Sequence, residues 1–340
     1  KDEYDKKCGA EKEKDAGGYN IYVAQRANSP NEAFTNTQEN IFHSPELTNH
    51  INAIKYDKSN HFYEDGWYIL DDGRVRFVTK QECIERAIFG SDRFHEYITD
   101  VPHNSKTDVH GCIREFYSPI PNDGSLYFIS YDPYRVDKNK EEVSTKNSLA
   151  SFQVWMRTNS KTPYMGKRLV ASYCGRLDTM EAVDKLVLYA CLRWNCKVLY
   201  EAGTGELVTN FKKWGYRDEL LKDPSSYINR SVDGPRITGY GIVIGDGDIK
   251  LEGMRMVRYF LYEIVGKTSD DTPIYRFNQI YDISFLLELD RFIFGRNADR
   301  LSSAIVAMFE FRKDSLLLER EANSKSKTNN TGRKVNRFLK

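Results

Sequence analysis

Between residues 126 and 216 short apolar runs alternate with amphipathic repeats, and that rhythm sets the fold class. Residues 126–131 (LYFISY), 150–156 (ASFQVWM) and 168–173 (RLVASY) are dense in aromatic and branched side chains and have the length of strands. Val183, Leu186, Val187, Ala190, Cys191 and Trp194 then recur at helical spacing and mark one face of an amphipathic helix. Val198, Leu199 and Tyr200 predict a fourth strand, which ends on the carboxylate of Glu201. The Gly203-Thr204-Gly205 turn follows, and Leu207, Val208 and Phe211 open another helix.

Strand, strand, strand, helix, strand, helix is the order of a ribonuclease H-like core, an α/β domain with a mixed sheet flanked by helices; other α/β folds also produce it. Upstream, residues 19–23 (YNIYV) have strand character, and residues 28–34 read as a turn leading into a short helix. Ser44 is placed to cap a helix with Pro45 at its first position. Residues 67–78 (WYILDDGRVRFV) predict a hairpin turning at Asp72-Gly73. Residues 35–122 thus read as an irregular connecting region with its own small sheet, an N-terminal extension to the main domain at 123–320. Past Glu201, residues 217–247 form a loop-rich excursion. Residues 248–264 predict a helix with Lys250, Arg255 and Arg258 on its polar side, and 283–294 and 301–311 predict two more. The tail, residues 321–340, carries six Lys or Arg and no acid from Ala322 onward, a composition that argues for disorder.

Composition narrows the chemistry. With 40% hydrophobic and 13% aromatic residues in 340, a large core is available, and no apolar run approaches the roughly 20 residues of a membrane span. A net charge of +1 leaves no global basic field, so nucleic-acid contact requires a local patch. The six cysteines lack C-x-x-C spacing and read as buried thiols of a reducing compartment rather than disulfides or zinc ligands. All six histidines lie at or before His110, which denies the last two-thirds a histidine base unless the front folds over it. Gly203-Thr204-Gly205 lacks a following Gly-Lys-Ser/Thr, and that phosphate-loop motif is nowhere else in the chain. The charged opening KDEYDKKCGAEKEKD is not a signal peptide, and the expectation is a fragment of a longer chain.

Three carboxylates fall at element ends: Asp132, Glu201 and Asp299. Hard divalent cations take oxygen ligands, and two of them about 4 Å apart hold the attacking and leaving oxygens of an in-line phosphodiester displacement. Asp137, in the charged loop between the first two core strands, is a further ligand or an orienting group. Arg135, Lys138, Lys140, Lys146, Arg157, Lys161, Lys167, Arg168 and Arg176 give this half a cationic strip suited to DNA phosphates. Each residue also has a plainer reading. Asp132 before Pro133 can simply end a strand, Asp299 can be an ordinary acid at a helix N-terminus, and the basic strip can be a solvated face. Glu201 is harder to dismiss, because a carboxylate closing an apolar strand is expected to be near-buried and needs a partner or a metal.

Four segments in order resemble the nuclease half of the large terminase subunit of tailed bacteriophages. Tyr127 to Asp132 is similar to the family's first strand with its first metal-binding acid, and Ala171 to Arg176 to the strand before its helix. Tyr200-Glu201 with the helix closing on Gly215-Tyr216 resembles its strand-end glutamate. Glu288-Leu289-Asp290-Arg291-Phe292 followed by Asn297 to Ala307 resembles its last two helices. The family often has an aspartate pair at the start of the last helix; here the first of the two positions is Ala298. Residues 1–34, with Ser29-Pro30-Asn31-Glu32-Ala33-Phe34, are similar to the family's junction after its ATPase.

The resemblance implies an endonuclease with two Mg2+ or Mn2+ ions on Asp132, Glu201 and Asp299 and with Asp137 auxiliary. It also implies that Arg135, Lys138, Lys140, Lys146, Arg168 and Arg176 meet double-stranded DNA. It further implies an ATPase upstream in the same full-length chain, a portal protein and a small terminase subunit as partners, no membrane, and action in the host cell cytoplasm. Two alternatives stay open: a resolvase- or transposase-like nuclease on the same fold, and a non-catalytic module that grips DNA and docks on the portal.

Overall fold

The computed structural model describes residues 40–57, 62–89, 111–134, 148–158, 166–203, 206–224, 239–244, 247–294 and 297–335, with side chains of the last helix described to residue 317. In chain order the elements are α1 (Pro45–Tyr56), β1 (Glu64–Asp71), β2 (Arg74–Thr79), α2 (Lys80–Glu85), β3 (Ile113–Glu115), β4 (Tyr127–Asp132), β5 (Ala150–Met156) and β6 (Arg168–Gly175). They continue as α3 (Met180–Trp194), β7 (Lys197–Tyr200), α4 (Leu207–Trp214), α5 (Gly247–Leu261), β8 (Ile264–Lys267), β9 (Pro273–Tyr275), α6 (Ile283–Asp290) and α7 (Asp299–Val335). The chain is a mixed α/β protein whose seven-stranded sheet runs β2-β1-β3-β6-β5-β4-β7 with helices on both faces. Only β4 and β7 pair in parallel; every other neighbouring pair in this sheet is antiparallel. No helix among the described residues is long and apolar enough to cross a membrane.

Side-chain alternation divides the core in two. Tyr127, Ile129 and Tyr131 of β4 pack with Phe152, Val154, Val170 and Tyr173 under α3 and α4. Phe128, Trp155, Leu169 and Leu199 point the other way, into the layer formed by α1, α5, α6 and α7. Both faces of the central strands are therefore apolar, which is why their sequences read as near-continuous hydrophobic runs. The helix α3 starts at the cap Thr179, whose hydroxyl accepts from Ala182 N at 3.1 Å, and ends on Asn195 at a positive φ of 46°.

Ser44 does cap α1, accepting from Leu47 N at 3.1 Å, and the hairpin turns at Asp72-Gly73. The hairpin is not a separate small sheet. β1 pairs with β3 and β3 with β6, so the extension continues the central sheet. Three residues of β3 were too few to show a period, but a buried network makes the join: Trp194 Nε1 donates to Tyr68 Oη at 2.8 Å, Tyr68 Oη to Glu115 at 3.0 Å, and Arg193 to Glu115 at 3.2 and 3.3 Å. Arg114 adds two bonds to Asp65, at 2.7 and 3.0 Å.

Other boundaries also differ from the sequence expectation. The α6 helix stops at Asp290, and the helix predicted to reach residue 264 ends at Leu261, where β8 and β9 form an unforeseen two-stranded ribbon. The last helix begins at Asp299 and continues to Val335, through most of the stretch whose composition suggested disorder; no proline interrupts it. The described cysteines are free thiols, four of them buried. The expected strand at 19–23 and the turn at 28–34 lie outside the described residues.

The α5–α7 contact is close because α5 has a glycine there. A Cβ on Gly253 would stand 2.3 Å from Cγ2 of Ile305, a branched side chain anchored near its own backbone. Gly253→Ala gains up to about 1 kcal/mol of helix propensity, whereas overpacking costs about 1–3 kcal/mol. The substitution is therefore expected to lower stability by about 1 kcal/mol, read as a lower urea midpoint at unchanged slope; a stabilised variant would show the two helices free to part.

Candidate active site

The register of β4 against β7 brings two acids together. Tyr131 pairs with Tyr200 in the parallel ladder, and Glu201 N donates to Tyr131 O at 2.9 Å, so Asp132 and Glu201 occupy the same edge of neighbouring strands. Alternation then fixes their face. Asp132 follows Phe128 and Ser130, and Glu201 follows Leu199, all turned to the layer that contains α7. The chain returns to this edge at Ile242, which bridges Glu201, shortly before α5 begins.

The start of α7 lies on that face because small polar residues let it approach. Ser303 Oγ donates to Ser130 O at 2.9 Å and lies 3.2 Å from Ser130 Oγ, which also accepts from Trp155 Nε1 at 3.2 Å. Gln153 Nε2 donates to the carbonyl of Arg300 at 3.3 Å. These contacts place Asp299, 2% exposed, beside the residues that lead into β5. Its carboxylate accepts from Leu149 N at 3.0 Å, Ser148 Oγ at 3.3 Å and Asn297 Nδ2 at 2.9 Å to each oxygen.

The three carboxyls share one electrostatic environment. Burial, then the charges of Glu201 and Asp299 and a hydrogen bond with Glu201, push the Asp132 carboxyl well above its ordinary range; Lys250 of α5 pulls the other way. Burial pushes Asp299 up to about 6, against the stabilising bonds from Leu149, Asn297 and Ser148 and the charge of Arg300. Among the described residues no three His, Cys, Asp or Glu side chains are arranged as a ready metal cage, and the reason is visible: the oxygens of Asp299 are turned to residues 148 and 149.

The donor set suits a hard cation. Two oxygen donors belong to adjoining acids, Ser151, paired with Asp132 in the β4–β5 ladder, has a buried hydroxyl without a hydrogen-bond partner, and the buried thiol of Cys174 follows on the same rung. Asp299 lies in the same field; Asp137 lies outside the described residues, as do Arg135, Lys138, Lys140, Lys146 and Lys161.

Of the cationic strip, Arg157, Lys167, Arg168 and Arg176 are among the described residues, and they lie at both ends of the sheet. Arg176 follows β6 at the acidic edge, where its guanidinium lies 4.6 Å from the Tyr134 ring centroid. Arg168 is at the other end of β6, paired with Met156, which in turn pairs with Tyr127 at the end of β4 away from the acids. Five residues of strand separate Tyr127 from Asp132, about 17 Å, so Arg168 does not reach the carboxyls. Arg157 shares that far end, where it pairs with Glu310 at 2.8 Å and with Asp314. Antiparallel neighbours begin at opposite edges, and that geometry, legible from the strand lengths alone, would have separated these residues. Sequence reading also passed over Ser148, Ser151 and Ser303, whose signal was a small polar residue beside or within an apolar run.

The raised carboxyls carry a pH signature. Asp132 and Asp299 keep protons in the folded chain at pH values where the unfolded groups, with an ordinary value of 3.8, have lost them. The folded state binds more protons, so stability falls as pH rises from about 4 through the folded values. In chelator, the thermal midpoint is expected to drop between about pH 5 and about pH 8, and Asp132→Asn to raise it at the upper end and flatten the slope. A wild-type midpoint that climbs over that interval would contradict the assignment. No protein-family model matches this chain, and no curated protein matches its sequence.

Proposed function

We propose that the chain is a metal-dependent DNA endonuclease on a ribonuclease H-like domain, and that it serves as the cutter of a viral DNA-packaging motor. The sub-order β6-β5-β4-β7, antiparallel except for the β4–β7 pair and joined from β6 to β7 through α3, supports the ribonuclease H-like reading. The observation that carries the activity is the Asp132–Glu201 rung: two buried, adjoining carboxyls on the strand ends with Asp299 in the same field. Such an arrangement is costly unless a cation or a proton occupies it.

Asp132 and Glu201 would hold one Mg2+ or Mn2+ ion between them, and Asp299 would serve a second. When bound, these ions lower the pKa of an attacking water and stabilise the leaving 3′ oxygen. The protein's own part is to present oxygen donors on rigid strand ends and to supply cations beside them. Lys250 on α5 and Arg176 after β6 are suited to the flanking phosphates, which favours positioning of duplex DNA with little base preference. Double-stranded DNA, a portal protein, a small terminase subunit, an upstream ATPase and a cytoplasmic setting in the host belong to this proposal through the terminase resemblance.

Plasmid cleavage in manganese tests it. Asp132→Asn and Glu201→Gln are each expected to reduce cutting at least about a hundredfold, since loss of a metal ligand removes several kcal/mol of transition-state stabilisation, while far-ultraviolet circular dichroism stays unchanged. Undiminished cutting by both variants would remove the assignment. Absence of manganese binding in calorimetry, with DNA affinity retained, would favour the non-catalytic gripping module instead.

A further inference from the structure

The first N–H groups of a helix need acceptors from outside the helix. At the start of α7 the capping position itself offers none. Ala298 is the N-cap, since its carbonyl accepts the first helical bond, from Ser302 N at 3.0 Å, and its methyl side chain cannot cap. Asp299 stands at the first helical position, but both of its oxygens are engaged by Leu149 N, Ser148 Oγ and Asn297 Nδ2.

The missing acceptor comes from another helix. Glu288 of α6, 1% exposed, accepts the Leu301 N–H through Oε1 at 2.8 Å, and its Oε2 lies 3.5 Å from Arg300 Nη1. Leu301 is the third helical residue, the one whose N–H a serine or aspartate at the N-cap would take. We propose that Glu288 is a remote cap for α7 and, through it, the positioning residue that holds Asp299 on its partners at residues 148 and 149, beside the acidic edge.

The surroundings fit that role. Glu288 meets Arg300 and the Leu301 N–H, with the charge of Asp299 near by, and burial pushes its carboxyl up to about 7. Arg300 is itself buried, and its carbonyl is tied to Gln153 on β5, so the capped turn is fixed to the sheet that holds Asp132. A carboxylate in so dry a place is retained by its hydrogen bonds and by the adjacent guanidinium. Without the cap, a buried N–H is orphaned and the first turn loosens, which carries Asp299 away from its partners at 148 and 149. The inference rests on the metal-site reading above for its functional consequence, and on the α7 hydrogen bonds for its structural one.

The test compares wild type, Glu288→Ala, and Glu288→Ala combined with Ala298→Ser, in which the new hydroxyl can take the Leu301 N–H locally. Hydrogen–deuterium exchange over residues 299–303 is expected to speed up in the single variant and to slow again in the double. Manganese affinity by calorimetry is expected to fall about tenfold, the usual loss when a group orienting a metal ligand is removed, and to recover with the serine. Unchanged exchange in Glu288→Ala overturns the cap, and faster exchange with wild-type manganese affinity overturns the positioning role. Absence of manganese binding by wild type sinks the nuclease reading instead and the positioning role with it, leaving exchange to judge the cap. Should Glu288→Ala alone fail to fold, recovery of a folded double variant supports the inference, and a double variant that also fails overturns it.

Discussion

The parallel pairing of β4 with β7 sets two carboxyls side by side, and the rest of the site follows from that contact. Neighbouring strands lie about 5 Å apart, and two unit charges at that distance repel by about 3 kcal/mol at an effective dielectric of about 20. Net stabilities of domains are only about 5–15 kcal/mol, so such a repulsion is a large perturbation for one rung of a sheet. Together with burial, which is the larger cause, it pushes the Asp132 carboxyl well above its ordinary range. A cation bound there would offset the repulsion, so affinity for metal and instability without it would have one cause.

The scaffold holds that rung rigidly. On one face, β4 is backed by aromatic packing under α3; on the other, α7 sits close because Ser130, Ser303 and Gly253 leave room. The extension β1-β2-β3 broadens the sheet on the β6 side and is anchored through Glu115, Arg193, Tyr68 and Trp194. Buried polar links of this kind add little net stability, but their unpaired alternatives are expensive. They therefore make the hairpin part of the same sheet rather than a loosely attached module.

The central strands, α3 and the end-of-strand position of Glu201 were legible because apolar periodicity is a local property. Hairpin placement was not, since a three-residue strand such as β3 has no period to read and its partner, β6, lies more than fifty residues away. The convergence of Asp132, Glu201 and Asp299 at one edge needed register, parity and the seating of α7, of which only parity is written in the local sequence. Arg168 shows what strand order alone leaves open: it lies at the end of its strand away from the acids. For the tail, composition measures how little apolar surface a stretch can bury but not whether a preceding helix continues into it, as the helix from Asp299 to Val335 does.

Burial alone does not single out the functional acids, as Asp184 demonstrates. It is fully buried on α3, and burial pushes it up to about 6, much as for Asp299. Its two oxygens meet neutral donors, Tyr131 Oη at 3.2 Å and Asn210 Nδ2 at 2.7 Å, on the face of the sheet away from α7. Each oxygen thus has a protein donor, and the residue ties α3 and α4 to β4. Glu288 is likewise matched, by a backbone N–H and by Arg300. Asp132 differs in kind: its side-chain hydrogen bond is with another acid, and the hydroxyl across the ladder, Ser151, has no partner. What separates a structural carboxyl from a candidate ligand-binding one here is the chemistry of the groups facing it, and that makes the β4–β7 edge the candidate site rather than wherever acids are most deeply enclosed.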